Sequence, residues 1–182
     1  MKVICRNNEI REGSFEEKWM KEAFWHTSAH VLAQAVKRLY PDTKCAIGPS
    51  ITQGFYYDFE FSFAFGDEHL SLVEEEMKKI VKEALTVRVY EEMIEELPEE
   101  ETISFYQQGE YVEFCAGPHI SNTCHIKAIK LLSIAGAYWR GDEKNKMLTR
   151  IYGISFPKAS ELEEYLNMME EAKLRDHRKL GR

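Results

Sequence analysis

The stretch from Phe24 to Tyr40 constrains this chain more than any other. Its apolar residues Ala29, Val31, Leu32, Ala35, Val36 and Leu39 follow helical spacing and form a broad stripe that other elements must bury. Pro41 and Asp42 end the helix. The same helix carries His26 and His30, four apart, on one face with Cβ atoms roughly 5–6 Å from each other. Such a pair can share one ion or one water. Equally, it is one exposed and one buried histidine near a helix start.

The other elements follow without a regular rhythm. Residues 1 to about 20 read as a strand and turn leading into a charged helix start. Gly48-Pro49 opens a turn, and Gly54 to Phe61 is aromatic and partly alternating, hence a strand. Leu70 to Leu85 reads as a helix with Leu72, Val73, Met77, Ile80, Val81 and Ala84 inward. Thr86 to Tyr90 is a short β-like run. Glu91 to Gln108 is acidic, punctuated by Pro98, and reads as one or two helices. Tyr111 to Phe114 is a strand. Ile129 to Trp139 and Met147 to Gly153 are two more, joined by a turn at Gly141-Asp142. Lys158 to Arg178 is a long amphipathic helix with Leu162, Tyr165, Leu166 and Met169 in its stripe. Strands and helices interleaved without βαβ units indicate an α+β fold.

A chain of 182 residues, 44% hydrophobic and 30% charged, has the balance of a folded globular protein. No run reaches the roughly 20 apolar residues that span a bilayer. Met1 to Asn8 lacks the apolar stretch of a secretory signal. Cys5, Cys45, Cys115 and Cys124 need not form a disulfide framework, which points to a reducing, cytoplasmic compartment. The net charge of -7 argues against a general nucleic-acid binder. Charge is uneven, however: acids dominate from Asp67 to Glu113, and the balance turns basic from Lys127 to Arg150 and again at the end. That is either two solvated faces of opposite sign or a local phosphate-contacting surface.

A second chemical segment is Cys115-Ala-Gly-Pro-His119. Gly117 and Pro118 break any helix, so a tight loop after a strand can turn thiol and imidazole to the same side. Alone, it is as readily a buried cysteine and a turn histidine. Three imidazoles and one thiol together are a metal-ligand set, or a cluster that orients a water and passes protons. Nothing in the sequence shows the depressed thiol pKa that a nucleophilic Cys115 needs. His69, His125 and His177 lack paired spacing and read as surface residues. Gly48 would let a backbone approach a ligand closely. Tyr138 and Trp139 beside Arg140 suit stacking on a base or packing under a loop.

His26-Thr-Ser-Ala-His30 followed by Cys115-Ala-Gly-Pro-His119 resembles the paired HxxxH and CxxxH motifs of the editing domains of threonyl- and alanyl-tRNA synthetases. Ala46-Ile-Gly-Pro-Ser-Ile-Thr-Gln-Gly-Phe-Tyr-Tyr-Asp58 is similar to the threonyl branch, as is Gly136-Ala-Tyr-Trp-Arg-Gly-Asp142 with its continuation through Asn145 to Gly153. Arg175 to Gly181 is similar to the join between the editing region and the catalytic core. The likeness covers about residues 22 to 182. It implies mainly antiparallel sheets packed against a long central helix. It also implies an N-terminal extension at 1–21, an editing domain at 22–156, and a linker helix at 157–182 toward a class II core.

The resemblance further implies a parent that ligates threonine to tRNA(Thr) with ATP, and a region that proofreads the product. Serine lacks one methyl, worth only about 1–3 kcal/mol of discrimination, so mischarged Ser-tRNA(Thr) must be hydrolysed. Carried over, His26, His30, Cys115 and His119 line the pocket and position the water, while Glu113, Gly48 and Tyr57 contact substrate. The basic run Lys127, Lys130, Arg140, Lys144, Lys146 and Arg150, with Trp139, is assigned to the tRNA. No cofactor is expected, although the spacing of the same four site residues fits zinc. Two departures stand out: Glu113 replaces the family's Asp two residues before the cysteine, and Pro98 to Tyr111 has no counterpart of a substrate-side lysine. A hydrolase is therefore set against a tRNA-acceptor-binding module that has lost hydrolysis, and against an alanyl-type zinc hydrolase. The expected partner is the acceptor end of tRNA(Thr) with its seryl ester, bound by a monomer, full synthetases being dimers. ATP-binding motifs are absent, so the chain is expected to be a piece of a longer synthetase or a free-standing relative.

Overall fold

The structure is a computed structural model that describes residues 1–93 and 102–180. The chain starts with a hairpin, β1 (Lys2–Ile4) and β2 (Ile10–Glu12), followed by α1 (Lys18–Leu39). Strands β3 (Lys44–Cys45) and β4 (Phe55–Glu60) lead to α2 (Asp67–Lys82). Then come β5 (Val87–Met93), β6 (Thr102–Gln108), β7 (Tyr111–Phe114) and β8 (His119–Ile120). Two long strands, β9 (Ala128–Tyr138) and β10 (Met147–Phe156), precede α3 (Ala159–Leu180).

The strands form three antiparallel sheets, ordered β2-β1-β8, β3-β4-β10-β9 and β5-β6-β7, which with the helices make the expected α+β fold. Helix α1 is the central element. Every residue from Thr27 to Val36 is buried, because α2, β4, β8 and β10 pack around it. Its side chains Phe24, Leu32 and Val36 share one core with Phe55, Phe59, Met77, Ile80 and Ile151. Helix α2 buries Val73, Met77, Ile80 and Val81, a spacing of four, seven and eight from the first. Leu72, expected inward, lies off that stripe and is 56% exposed. Ala84 has left the helix with φ 51°.

Glu91 to Gln108 does not form the expected helices where it is described. Glu91–Met93 and Thr102–Gln108 pair as strands, with Glu91 opposite Ser104 and Val89 opposite Tyr106. Cross-strand pairing outweighs the weak helix preference of the acids. Pro98 and the Glu99-Glu100-Glu101 run lie outside the described residues. The boundary expected after residue 21 falls inside α1. The hairpin before it pairs with β8, Val3 facing Ile120 and Ile4 facing His119. Helix α3 packs its first turns through Leu162 and Tyr165, and its remaining described residues are mostly exposed. All four cysteines are free. Among the described residues no helix is long and apolar enough to cross a membrane.

Candidate active site

Helix α1 and the β7–β8 loop bring the two histidine motifs together. His119 sits between the helix histidines, its ring 4.2 Å from His26 and 4.3 Å from His30, centroid to centroid. His26 and His30 are 4.9 Å apart, one helical turn along α1. Cys115 Sγ lies 3.2 Å from His119 Nε2. The loop can turn this sharply because Gly117 has φ 64°, and any Cβ there would meet the Tyr106 hydroxyl.

The hydrogen bonds assign the His119 tautomer. Thr27 donates its hydroxyl proton to Ala23 O at 2.8 Å, and its oxygen accepts the Ile120 N–H at 3.0 Å. The third contact, 3.0 Å to His119 Nδ1, is satisfied only if the imidazole donates. His119 thus carries its proton on Nδ1 and presents the Nε2 lone pair to Cys115. Complete burial pushes His119 well below the ordinary histidine range. Burial first, and the neighbouring His30 second, hold His26 down to about 4. Both are neutral bases at pH 7. Burial pushes the Cys115 thiol up to about 12, so it is a proton donor and not a thiolate.

Glu113 projects from β7 to the other side of His30. His30 Nε2 meets its Oε2 at 2.8 Å, Tyr111 donates to the same oxygen at 2.9 Å, and Tyr57 donates to Oε1 at 2.5 Å. Burial raises the carboxyl, but His30 and the two hydroxyls outweigh it and keep Glu113 below the usual carboxylate range. Glu113, Tyr57 and Tyr111 also line a cleft of about 560 Å³ with Lys37, Lys44 and Cys45. The carboxylate therefore joins the histidine cluster to an open cleft. A second network fixes this hairpin to the helices. Gln34 donates to Glu110 at 3.0 Å, and Arg38 binds Glu110 and Glu83. Sequence reasoning missed Thr27, Gln34, Lys37 and Tyr111, which had no motif to mark them.

The remaining sequence-derived residues have mixed fates. Gly48 does approach closely, but to protein: a Cβ there would lie 1.9 Å from the Tyr57 ring. Arg150 pairs with buried Asp58 through 2.8 and 2.9 Å bonds and stacks on Tyr56. Lys146 pairs with Glu60, and Lys130 lies 3.7 Å from Glu74. Arg140 lies over Trp139. Lys144 is exposed, and Lys127 lines a separate groove with Lys78, Lys79 and Lys82. The assigned basic residues are thus not brought together with the histidine cluster. His69 is more than a surface residue, since its Nδ1 accepts the Gly66 N–H at the start of α2.

The donor set His26, His30, Cys115 and His119 fits zinc: the four ligand atoms lie within 4.8 Å of one another. The His30–Glu113 contact is the kind of outer support a zinc-bound imidazole has. An ion held there would supply a polarised water, and Cys115 would have to lose its proton to bind it.

Residues 103–152 match the family described as threonyl and alanyl tRNA synthetase second additional domain. The whole chain aligns with the threonine–tRNA ligase of Caldanaerobacter subterraneus subsp. tengcongensis at 54% identity over 206 residues. It also aligns with those of Clostridium novyi at 54% and Clostridium tetani at 55%, each over 201 residues. In each case all of this chain and 32% of the relative are covered, so the chain spans about a third of the length of the curated relatives it matches. The matched residues, from β6 to β10, are those of a synthetase second additional domain. Within that class, the chain belongs to the threonyl-tRNA synthetase family and corresponds to its editing region.

Proposed function

We propose that this domain hydrolyses the ester of serine mischarged on tRNA(Thr). The observation that carries the reading is the convergence of three imidazoles and one thiol at a carboxylate that opens on a cleft. Ester hydrolysis needs a water, a base for its proton and a donor for the leaving oxygen. Neutral His26 is a base of that kind, and the Cys115 thiol, paired with His119 Nε2, holds a proton that can pass to the leaving oxygen. Glu113 keeps one acceptor site beyond its three bonds, suited to the ammonium group of the aminoacyl ester. The relatives are named threonine–tRNA ligases, and the one-methyl difference from serine supplies the need for a second sieve.

The test is release of labelled serine from Ser-tRNA(Thr), with Thr-tRNA(Thr) as control. Selective serine release supports the hydrolase. Retention of both esters by a folded, tRNA-binding domain would favour the acceptor-binding module instead. Because the donor set fits zinc, a zinc-dependent hydrolase is the second reading. About one zinc per chain, with activity lost to chelator and restored by zinc, would establish it.

A further inference from the structure

We propose that the outward face of the β5-β6-β7 sheet is a stacking platform for the unpaired nucleotides that precede the reacting one. This rests on the reading above that the ligand is an aminoacylated RNA end. Tyr90 pairs with Phe105, and Phe105 with Phe114, so three aromatic side chains form one row across three strands. Tyr90 is 47% and Phe114 63% exposed, and the Phe105 and Phe114 rings lie 4.2 Å apart. The adjoining outward row is Arg88, Gln107 and Val112. Neither row contains a carboxylate, in a chain of net charge -7.

The face is continuous with the site. Val112 and Phe114 line the same cleft as Glu113, Tyr57 and Tyr111, together with Asp42, exposed Lys44, and Lys37, whose Nζ also donates to Pro41 O and Thr43 O. The cleft borders two edge strands, β7 of one sheet and β3 of another. A strand leaving the cleft across this face would run its backbone past Lys44 and lay its bases on the aromatic row. Aromatic rows across adjacent strands hold two or three splayed bases in other RNA-binding sheets. Stacking contributes about 1–3 kcal/mol per base whatever the base identity, and lysines attract the backbone. Arg88 extends the platform as a planar cation.

The test is fluorescence anisotropy with two labelled, uncharged RNA hairpins, one with a short single-stranded 3′ overhang and one blunt. Wild type should prefer the overhang. Phe114→Ala should weaken overhang binding by roughly 5–100-fold, leave the blunt hairpin unchanged, and leave the melting temperature nearly unchanged. Phe114→Tyr should bind like wild type. Absence of a wild-type preference, or an equal loss for both hairpins, overturns the proposal. So does a self-associated protein that Phe114→Ala dissociates, since the patch would then be a protein interface. The hairpins carry no ester, so failure of hydrolysis in the serine-release assay would strike the proposed function and leave this result standing.

Discussion

Thr27 Oγ1 lies 3.0 Å from His119 Nδ1 and ties the central helix to the strand that carries the last site histidine. Thr27→Val keeps the shape but removes the acceptor. It leaves the Ile120 N–H unpaired, which should cost roughly 1–3 kcal/mol of stability. It also frees the His119 ring to change tautomer, and hydrolysis should fall by about 10–100-fold. Thr27→Ser should retain most activity. Nitrogen chemical shifts of His119 report the tautomer directly. Full activity in folded Thr27→Val would remove His119 orientation from the chemistry.

Glu113 holds three partners at once, and its extra methylene relative to Asp is what lets it reach them. Glu113→Asp should therefore not improve the proposed hydrolysis, although the family resemblance makes Asp the expected residue. It should lose at least one contact among His30, Tyr57 and Tyr111, worth roughly 1.5–3 kcal/mol for a bond to a charged group. Urea unfolding and kcat/KM on the seryl ester check this. An Asp variant faster than wild type would show that the observed network hinders the pocket.

His26 sets a pH dependence. Its ordinary value is 6.5 and burial, then His30, lower it to about 4 in the folded domain. Between these values the unfolded chain binds a proton that the folded chain does not, so stability falls as pH falls through that window. The contribution is on the order of 3 kcal/mol, fully present above pH about 6.5. His119, also lowered, acts in the same direction. Denaturation midpoints measured from neutral pH down to about 4 should decline, and less steeply in His26→Asn. An equal slope in the variant would assign the loss to other groups.

Arg150 should behave as a structural residue. Breaking its pair with Asp58, which is 3% exposed, should cost roughly 3–5 kcal/mol. Lys144→Ala, at an exposed and unburied position, should leave stability alone and lower the salt slope of tRNA binding by about one. If Arg150→Ala changes the salt slope without destabilising the domain, the resemblance-based tRNA assignment of Arg150 stands.

The helices and long strands were legible because their apolar spacing is local. Val73, Met77 and Ile80 declare a helix to anyone counting residues. The acidic segment from Glu91 misled because acids report exposure and not conformation: Glu91 is exposed near the end of β5 although its backbone pairs with Ser104. The motif histidines and Cys115 were legible as a set, and the structure does bring them together. Their supports were not. Thr27 is 92 residues from His119 and Arg150 is 92 from Asp58, and such pairings follow from chain topology that no short pattern encodes. Gly48 was singled out for closeness, but only the fold shows that its neighbour is Tyr57.

The hairpin pairing described above makes the pocket less portable than its motifs suggest. Ile4 is the strand neighbour of His119, and Ser121 N donates to Lys2 O at 2.9 Å. Anyone transplanting this pocket onto another scaffold, beginning at the first histidine motif, would leave the strand behind His119 with a bare edge. The smallest unit that carries its own backbone partners starts at the first residues, so the opening strand belongs to the toolkit of the site and not to its packaging.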